Sequence, residues 1–502
     1  MSKVYLYAAA VQGIQDFIFK TNELKHIVGA SELVEQICTS AFEEFEVQNG
    51  ERVVSAAGNI KYVFESLDDC KKAFYNFPKK VMQMAPGITV SQAVADYEGE
   101  NGFGGAIDEV EKQLKVQRNK PPKSVLSGLM GIKRANNTGL PVTYVDKKGE
   151  FLDDATKAKL TQGNTVWELC KKSFAKRDLG DRHIAYDISD IKGKNDWIAI
   201  VHADGNGLGK VVQKIGKNKE TFREFSQKLN EATTLAANAA YDAVKSKFGE
   251  EKKIPIRPVV LSGDDMTVII RGDLAIEYAK VFIQEFENKT QEKLGSILKP
   301  KKAKPIFSNG KDFLTACAGV AFIKSSYPFY YGYQLAEELC TQAKKDTKAM
   351  LGKNDLPASC LMFHKVQDSF ITNYEAIVER ELTVPADKES DPDQSKGYPL
   401  FKAGPYYIEE QKDRYTVKEL EDCSRSLDGE SGNGVKSGVR NWITLRLEGE
   451  GKAAQRRTRM EQIFSPEDKK TINRLLKETN KRCIAYDVLA YHTIMNQETN
   501  NK

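Results

Sequence analysis

The chain has 502 residues, enough for two to four domains, and its 40% apolar and 29% charged residues are the balance of an ordinary water-soluble protein. No apolar run reaches the roughly 18 residues that a transmembrane helix needs, and the net charge of +5 permits an RNA-facing surface without arguing for one. Eight scattered cysteines with no CxxC pair read as reduced thiols in a cytoplasm, not as disulfides or a zinc site, and the lack of any His-Asp dipeptide speaks against an HD-type metal nuclease.

The apolar start Lys3–Ala10 flows into Gln12 and Asp16, so it reads as a first buried strand over 4–11 and not as a signal peptide. A short helix begins at Gln15–Phe19 and a longer one at Gly29–Ile37. Arg52–Asn59 and Ile60–Phe64 form a hairpin turning at Gly58-Asn59. A helix at 67–83, a strand at 88–96 and a helix at 104–118 complete the unit. Residues 119–195, rich in Lys and Gly with Pro121-Pro122, read as a small inserted connector. The first order then returns: strand 197–203, helix 219–248, hairpin 257–271, helix 273–296, strand 313–323, helix 330–350. Both units follow β-α-β-β-α-β, a ferredoxin-like order, and so indicate an internal duplication. Beyond 350 the chain is charged and helical. Lys388–Lys396 is a polar loop, and helices at Tyr415–Ser424 and 452–463 flank a Gly/Ser loop at 428–438. Lys452, Arg456, Arg457 and Arg459 are a candidate RNA or partner contact, or equally a solvated helix face. The expected fold is α+β, with ferredoxin-like domains at 1–118 and 196–350, a connector at 119–195 and a C-terminal helical domain at 351–502.

The chemistry gathers in the second unit. The hairpin 257–271 turns at Ser262-Gly263-Asp264-Asp265, and adjacent carboxylates at a tip repel unless a cation lies between them. Alone, such a turn is more often an ordinary hairpin. Upstream, strand 197–203 ends at Asp204 and the Gly-rich run Gly205, Gly207, Gly209. If the two strands pair, Asp204, Asp264 and Asp265 converge into a hard oxygen site suited to Mg²⁺ or Mn²⁺. Two such ions clamp an in-line phosphoryl displacement. The glycines let backbone N–H groups approach phosphates at a helix start. Lys344 and Lys345 are anchors for a triphosphate or plain surface lysines. Ser31 is a nucleotide contact or simply a helix cap. In the first unit Ala10/Val11 stand at the Asp204 position, and Ala57-Gly58-Asn59-Ile60 at the Ser262–Asp265 position. The first unit therefore has the frame without the acids and binds no catalytic metal.

Assembled, these residues resemble the large palm-domain subunit of type III CRISPR effector complexes, in a III-B-like version without an HD nuclease. Gln12–Phe19 with Gly29–Leu33 is similar to that family's N-terminal palm signature. Ser262-Gly263-Asp264-Asp265 is similar to its GGDD motif. Ala318–Ala321, Leu335–Glu338 and Ala343–Lys345 are similar to its last palm strand and helix, and Phe363-His364 with Ser369 and Tyr415–Leu420 to its helical domain. The region 131–155 is similar to a zinc-ribbon insert but lacks the cysteines, so no zinc is expected.

The resemblance implies a nucleotidyltransferase that joins ATP into cyclic oligoadenylate on sensing target RNA, without DNase activity. It implies catalytic Asp204, Asp264 and Asp265, which with the Gly205 carbonyl hold two Mg²⁺ or Mn²⁺ ions. It further implies nucleotide contacts from Asn206, Gly207, Gly209, Ser262, Gly263, Lys344, Lys345 and Ser31. Asn206 replaces the family's usual second acid. S-adenosylmethionine is an alternative acceptor. Implied partners are the other subunits, crRNA and target RNA. The competing readings are a catalytically silent scaffold or RNA-binding subunit, and a stand-alone cyclic-nucleotide synthase.

Overall fold

The computed structural model describes residues 3–19, 21–43, 49–56, 58–99, 102–120, 131–163, 167–175, 179–248, 253–301, 304–352, 355–368, 373–385, 397–428 and 432–496. Pro121-Pro122, Ala57, Ser369 and the loop Lys388–Lys396 lie outside them.

Strand β1 (Lys3–Gln12) is the spine of the first sheet, in which it joins β2 (Gly50–Ala56), β3 (Asn59–Phe64) and β4 (Thr89–Glu98) in the order β2-β3-β1-β4. Every pair is antiparallel, as a β-α-β-β-α-β chain requires. Leu6 to Ala10 are buried on both faces of the sheet, which explains why this strand is apolar without alternation. Helices α1 (Ile14–Phe19), α2 (Leu24–Cys38), α3 (Leu67–Met84) and α4 (Phe103–Arg118) complete the unit. The Ser66 side chain caps α3 by accepting from the Asp68 and Asp69 amides.

The connector carries a two-strand hairpin (Tyr144–Val145 with Phe151–Leu152) and helices α5 (Asp154–Gly163) and α6 (Glu168–Phe174). It is tied to the first unit by buried Lys159, whose Nζ donates to the Phe17 carbonyl at 2.5 Å.

The second sheet has β5 (Trp197–Gly205), β6 (Ile256–Ser262), β7 (Asp265–Arg271), β8 (Ala316–Lys324), β9 (Cys360–Lys365) and β10 (Tyr406–Tyr407), in the order β10-β9-β8-β5-β7-β6. Its helices are α7 (Leu208–Ile215), α8 (Lys219–Val244), α9 (Ala275–Leu298) and α10 (Phe329–Ala349). The strands β8-β5-β7-β6 repeat the arrangement of the first sheet. One buried cluster joins Tyr7 and Ala9 of β1, Ile27 and Leu33 of α2, Ile198 and Ile200 of β5 and Leu339 of α10. Each large aliphatic side chain buried there contributes about 1.5–3 kcal/mol, so the two sheets share one core.

Three expectations need correction. The boundary at 350 cuts a continuous sheet: β9 runs parallel to β8, with Cys317 opposite Cys360, and β10 adds to its edge. The loop expected over 428–438 is helical from 432, the start of α12 (Gly432–Glu448), which follows α11 (Val417–Arg425). Its glycines serve packing: a Cβ at Gly438 would lie 2.9 Å from Met460 Cε. In the first unit the hairpin equivalence shifts by one residue. Ala56 pairs with Asn59 as Ser262 pairs with Asp265, so Asn59 matches Asp265 and Gly58 matches Asp264.

The C-terminal part continues with α13 (Glu450–Ile463), α14 (Pro466–Leu475) and α15 (Ala485–Met495). On α13, Lys452 pairs with Glu448 at 2.7 Å and Arg457 with Glu461 at 3.4 Å, the contacts of a solvated helix face. Among the described residues no helix is long and apolar enough to cross a membrane. All eight cysteines are buried free thiols.

Candidate metal and nucleotide site

Strand register brings the three acids together. Ala203 of β5 faces Met266 of β7, so the next residue, Asp204, emerges beside Asp265. Ser262 pairs with Asp265 and leaves Gly263 and Asp264 as a two-residue turn, with Gly263 at φ +64°. Asp204, Asp264 and Asp265 each place a carboxylate oxygen within 4.8 Å of the other two. A side chain at Gly205 would meet Asp264 at 2.9 Å, so the close approach of the strand end to the turn requires glycine there.

The turn is braced from outside. β6 is an edge strand, and its carbonyls and that of the turn are taken by side chains from three other elements. Ser31 of α2 donates to the Val259 carbonyl. Lys172 of α6 donates to the Leu261 carbonyl at 2.6 Å and also reaches Glu35 of α2 at 3.3 Å. Thr233 of α8 donates to the Gly263 carbonyl at 2.6 Å. The first unit and the connector therefore both touch the strand that presents the acids.

Three carboxylates this close cannot all ionise cheaply. Burial, then the charges of Asp265 and Asp204, hold the Asp264 carboxyl well above its usual range. Burial and Asp204 push Asp265 up to about 7, against the pull of Lys344. Lys344 answers part of this repulsion: its Nζ donates to Asp204 Oδ2 and, at 2.9 Å, to the Gly205 carbonyl. Burial alone would lower the Lys344 amine, but Asp204 raises it above the usual value. An ammonium thus rests on the oxygens of Asp204 and Gly205, and this all-oxygen set with unrelieved negative charge fits a hard divalent cation.

Asp204, Gly205, Asp264, Asp265 and Lys344 meet. Ser262 and Gly263 form the turn itself. Lys345 is exposed, so Lys344 is the lysine in contact with the acids. Asn206 does not join the cluster. It is 1% exposed, and its Nδ2 donates to Thr315 Oγ1 at 3.2 Å and lies 3.3 Å from Cys317 Sγ. It follows the end of β5, where its own N–H donates to the Thr315 carbonyl at 2.7 Å and holds it inward beneath the site. Gly207 is the N-cap of α7, and Gly209 lies exposed in the first turn of that helix. Ser31 is buried and lines the cavity described next.

A cavity of about 370 Å³ opens between the two sheets, with Gly13, Gln15 and Ser31 on one side and Ser262, Asp265 and Tyr333 on the other. That volume suits a nucleoside-sized ligand. His202 and Thr267 form its floor, 3.0 Å apart from ring Nδ1 to hydroxyl. Burial lowers His202 to about 4, so its ring is neutral. Sequence reasoning missed His202, Thr267, Tyr333 and Lys172. The first three sit in apolar runs that read as core, and Lys172 lies in an irregular stretch.

Helix α10 joins the site to its surroundings. Phe19 of α1 stacks on Tyr333 at 4.2 Å between ring centroids. Two residues beyond Lys344, Asp346 accepts from Arg414 Nε at 3.0 Å, Arg482 at 2.8 Å and the Tyr407 hydroxyl at 2.9 Å.

Residues 197–356 match the family model for Cas10/Cmr2, second palm domain. Among solved structures the chain is similar to a Csm1–Csm4 cassette in complex with cA4, at 12% identity and TM-score 0.57, covering 98% of this chain and 70% of that one. A Csm1–Csm4 cassette in complex with AMPPNP matches at 14% identity and TM-score 0.57, over 99% of this chain and 70% of that one. Csm1 in T. onnurineus matches at 14% identity and TM-score 0.52, with the same two coverages of 99% and 70%. At these identities the likeness is one of fold. No curated protein matches the sequence.

Proposed function

We propose that this Cas10-like chain is the large subunit of a type III CRISPR complex and a metal-dependent nucleotidyltransferase. It converts ATP into cyclic oligoadenylate, or another adenylate-linked messenger, when the complex senses target RNA. The observation that supports this best is the carboxylate cluster at the mouth of a nucleoside-sized cavity between two sheets. The family match over 197–356 contains all three acids. The reading divides the chain into a degenerate first palm at 1–118, a connector at 119–195, a catalytic palm from 196 and a C-terminal region that contributes strands to it. Its setting is the cytoplasm, with crRNA, target RNA and further subunits as partners. Two of the matched structures are Csm1–Csm4 cassettes, and an equivalent partner is proposed here.

Asp204, Asp264, Asp265 and the Gly205 carbonyl would hold two Mg²⁺ or Mn²⁺ ions, which when bound supply Lewis-acid activation of a ribose hydroxyl and stabilise charge at the α-phosphate. Lys344 supplies the positive charge facing the triphosphate tail. Ser262 and Gly263 shape the backbone against which the nucleotide lies. Neutral His202 and Tyr333 wall the cavity and keep water from it. Ser31, from the first unit, fixes the edge strand and faces the acceptor side. The acceptor is a second ATP or S-adenosylmethionine.

The test is a product assay. The chain, alone and within its RNA-guided complex with target RNA, is incubated with ATP and Mn²⁺ or Mg²⁺, with and without S-adenosylmethionine, and the products are resolved by mass spectrometry. An adenylate-linked product that disappears in Asp264→Ala/Asp265→Ala is expected. No product from the target-bound complex would favour a silent scaffold.

A further inference from the structure

Connector helix α6 reaches the strand that presents the acids through one side chain. Lys172 Nζ donates to the Leu261 carbonyl at 2.6 Å, to Glu35 Oε1 of α2 at 3.3 Å and to Asn230 Oδ1 of α8 at 3.4 Å. We infer that Lys172 is a positioning residue for the carboxylate turn, a strut that sets Asp264 and Asp265 against Asp204 and so makes the connector and the first unit parts of the metal site. The inference rests on the nucleotidyltransferase reading above and deepens it.

Three features give the strut this role. The first is the weakness of the strand it holds. β6 has a neighbouring strand on one side only, contains Pro258, which has no N–H to donate, and is bulged between Pro258 and Val260. Its ladder fixes the turn less firmly than an unbroken inner strand would, and outward-facing carbonyls supply the missing hold. Val259, which the bulge leaves unpaired, gives its carbonyl to Ser31, and Leu261 gives its own to Lys172. Leu261 directly precedes Ser262, whose partner across the hairpin is Asp265, so a shift at its carbonyl passes straight to the acids.

The second feature is that the strut is fixed at both ends. Asn238 Nδ2 of α8 donates to the backbone carbonyl of Lys172 at 2.7 Å, and Phe174 of α6 packs on Tyr241 of α8 with ring centroids 4.7 Å apart. At the other end, three ammonium protons meet three acceptors on three elements. The third is charge. Ser31 and Thr233, which also brace the hairpin, are neutral. Lys172 is paired with Glu35, and the two side chains are 21% and 16% exposed, so water and salt screen their attraction little. That pair ties α2 of the first unit and α6 of the connector to the same carbonyl.

The test compares the wild type with Lys172→Met and Lys172→Arg. Mn²⁺ affinity of the intact chain with AMPPNP is read by electron paramagnetic resonance, and ATP turnover by the target-bound complex at saturating Mn²⁺ gives kcat and KM separately. Lys172→Met is expected to bind Mn²⁺ about tenfold more weakly and to lose about tenfold in kcat, the size of a group behind metal ligands, with KM for ATP changed less than about threefold. Lys172→Arg, which keeps the charge and the donors, is expected to recover most of both. If Lys172→Met does not fold, Glu35→Gln, which spares the bond to Leu261, is expected to weaken Mn²⁺ about threefold, and an unchanged affinity there would overturn the inference. Wild-type Mn²⁺ affinity and kcat in Lys172→Met, with only earlier thermal unfolding, would reduce the residue to a structural tie and overturn it. A rise in KM alone would overturn it too, by making Lys172 a substrate contact. Both outcomes leave the catalytic reading in place. A wild type that neither binds Mn²⁺ nor turns over ATP would overturn that reading, and this inference with it.

Discussion

The two β-α-β-β-α-β units share one frame, and only the second carries the carboxylate cluster. In both, the first strand pairs with the second strand of a hairpin whose turn has two residues. Ala10 faces Asn59 in the first unit, where Asp204 stands beside Asp265 in the second. Gly58 occupies the position of Asp264. The first unit shows that the fold does not need the acids. The second shows what they cost: two carboxyls held far above their usual range and a lysine drawn onto Asp204. A cluster that the frame does without, and that opposes ionisation, fits the proposed cation site.

The largest expected effect comes from making the second unit like the first. Asp264→Gly with Asp265→Asn should reduce ATP turnover at least about a hundredfold, since even groups behind metal ligands are worth about 10–100-fold. Thermal unfolding without metal should not occur earlier than in the wild type, because mutual repulsion is removed. A lower unfolding temperature in chelator would contradict that account of the acids.

The reverse exchange is next. Ala10→Asp places a carboxylate at a 2% exposed position. It should destabilise the chain by about 1–3 kcal/mol in urea unfolding and create no metal site. Asn59→Asp alone, at a half-buried position, should cost much less.

A smaller effect probes a feature of the second unit, the anchoring of α10 to the C-terminal region. Asp346→Asn should weaken the contacts to Arg414 and Arg482 that hold the helix end near Lys344. An increase of about fivefold in KM for ATP with kcat retained is expected, equivalent to roughly 1 kcal/mol of lost binding. An unchanged KM with a lower unfolding temperature would make Asp346 purely structural.

The smallest effect is a control on buried acids away from the site. Burial pushes Asp487 up to about 7, and its Oδ2 accepts from the Tyr406 hydroxyl at 2.7 Å. The folded state therefore holds a proton that the unfolded chain releases near its ordinary carboxylate pKa, so stability falls as pH rises from about 4 through 7. Asp487→Asn should match the wild type near pH 4 and unfold at a higher temperature at pH 8. A gap of the same size at both pH values would exclude this linkage.

Much of this was legible in the residues, for identifiable reasons. β-branched runs and helical spacing revealed the elements of both units in order, and the strand–Asp–hairpin sequence sufficed to bring Asp204 to Asp264 and Asp265. The first hairpin was misaligned by one because its positive-φ glycine, Gly58, is second in the turn, whereas Gly263 is first. Aligning the glycines shifts the strands. β9 escaped notice because Cys360–Lys365 is a short apolar run buried on both faces, which lacks the alternation that marks a strand. Asn206 and Lys344 show the limit of motif reading. Contacts to Thr315 just beyond the end of β5 hold the first under the site, and helix phase, not composition, separates Lys344 from Lys345.

The most direct test is the number of divalent ions held by each unit. Mn²⁺ binding to the intact chain in the presence of AMPPNP can be followed by electron paramagnetic resonance, for the wild type and for Asp264→Asn/Asp265→Asn. Two ions per chain in the wild type, both lost or bound at least tenfold more weakly in the double variant, are expected. Two ions of undiminished affinity in the variant would place the metals elsewhere and contradict the assignment of the catalytic site to the second palm.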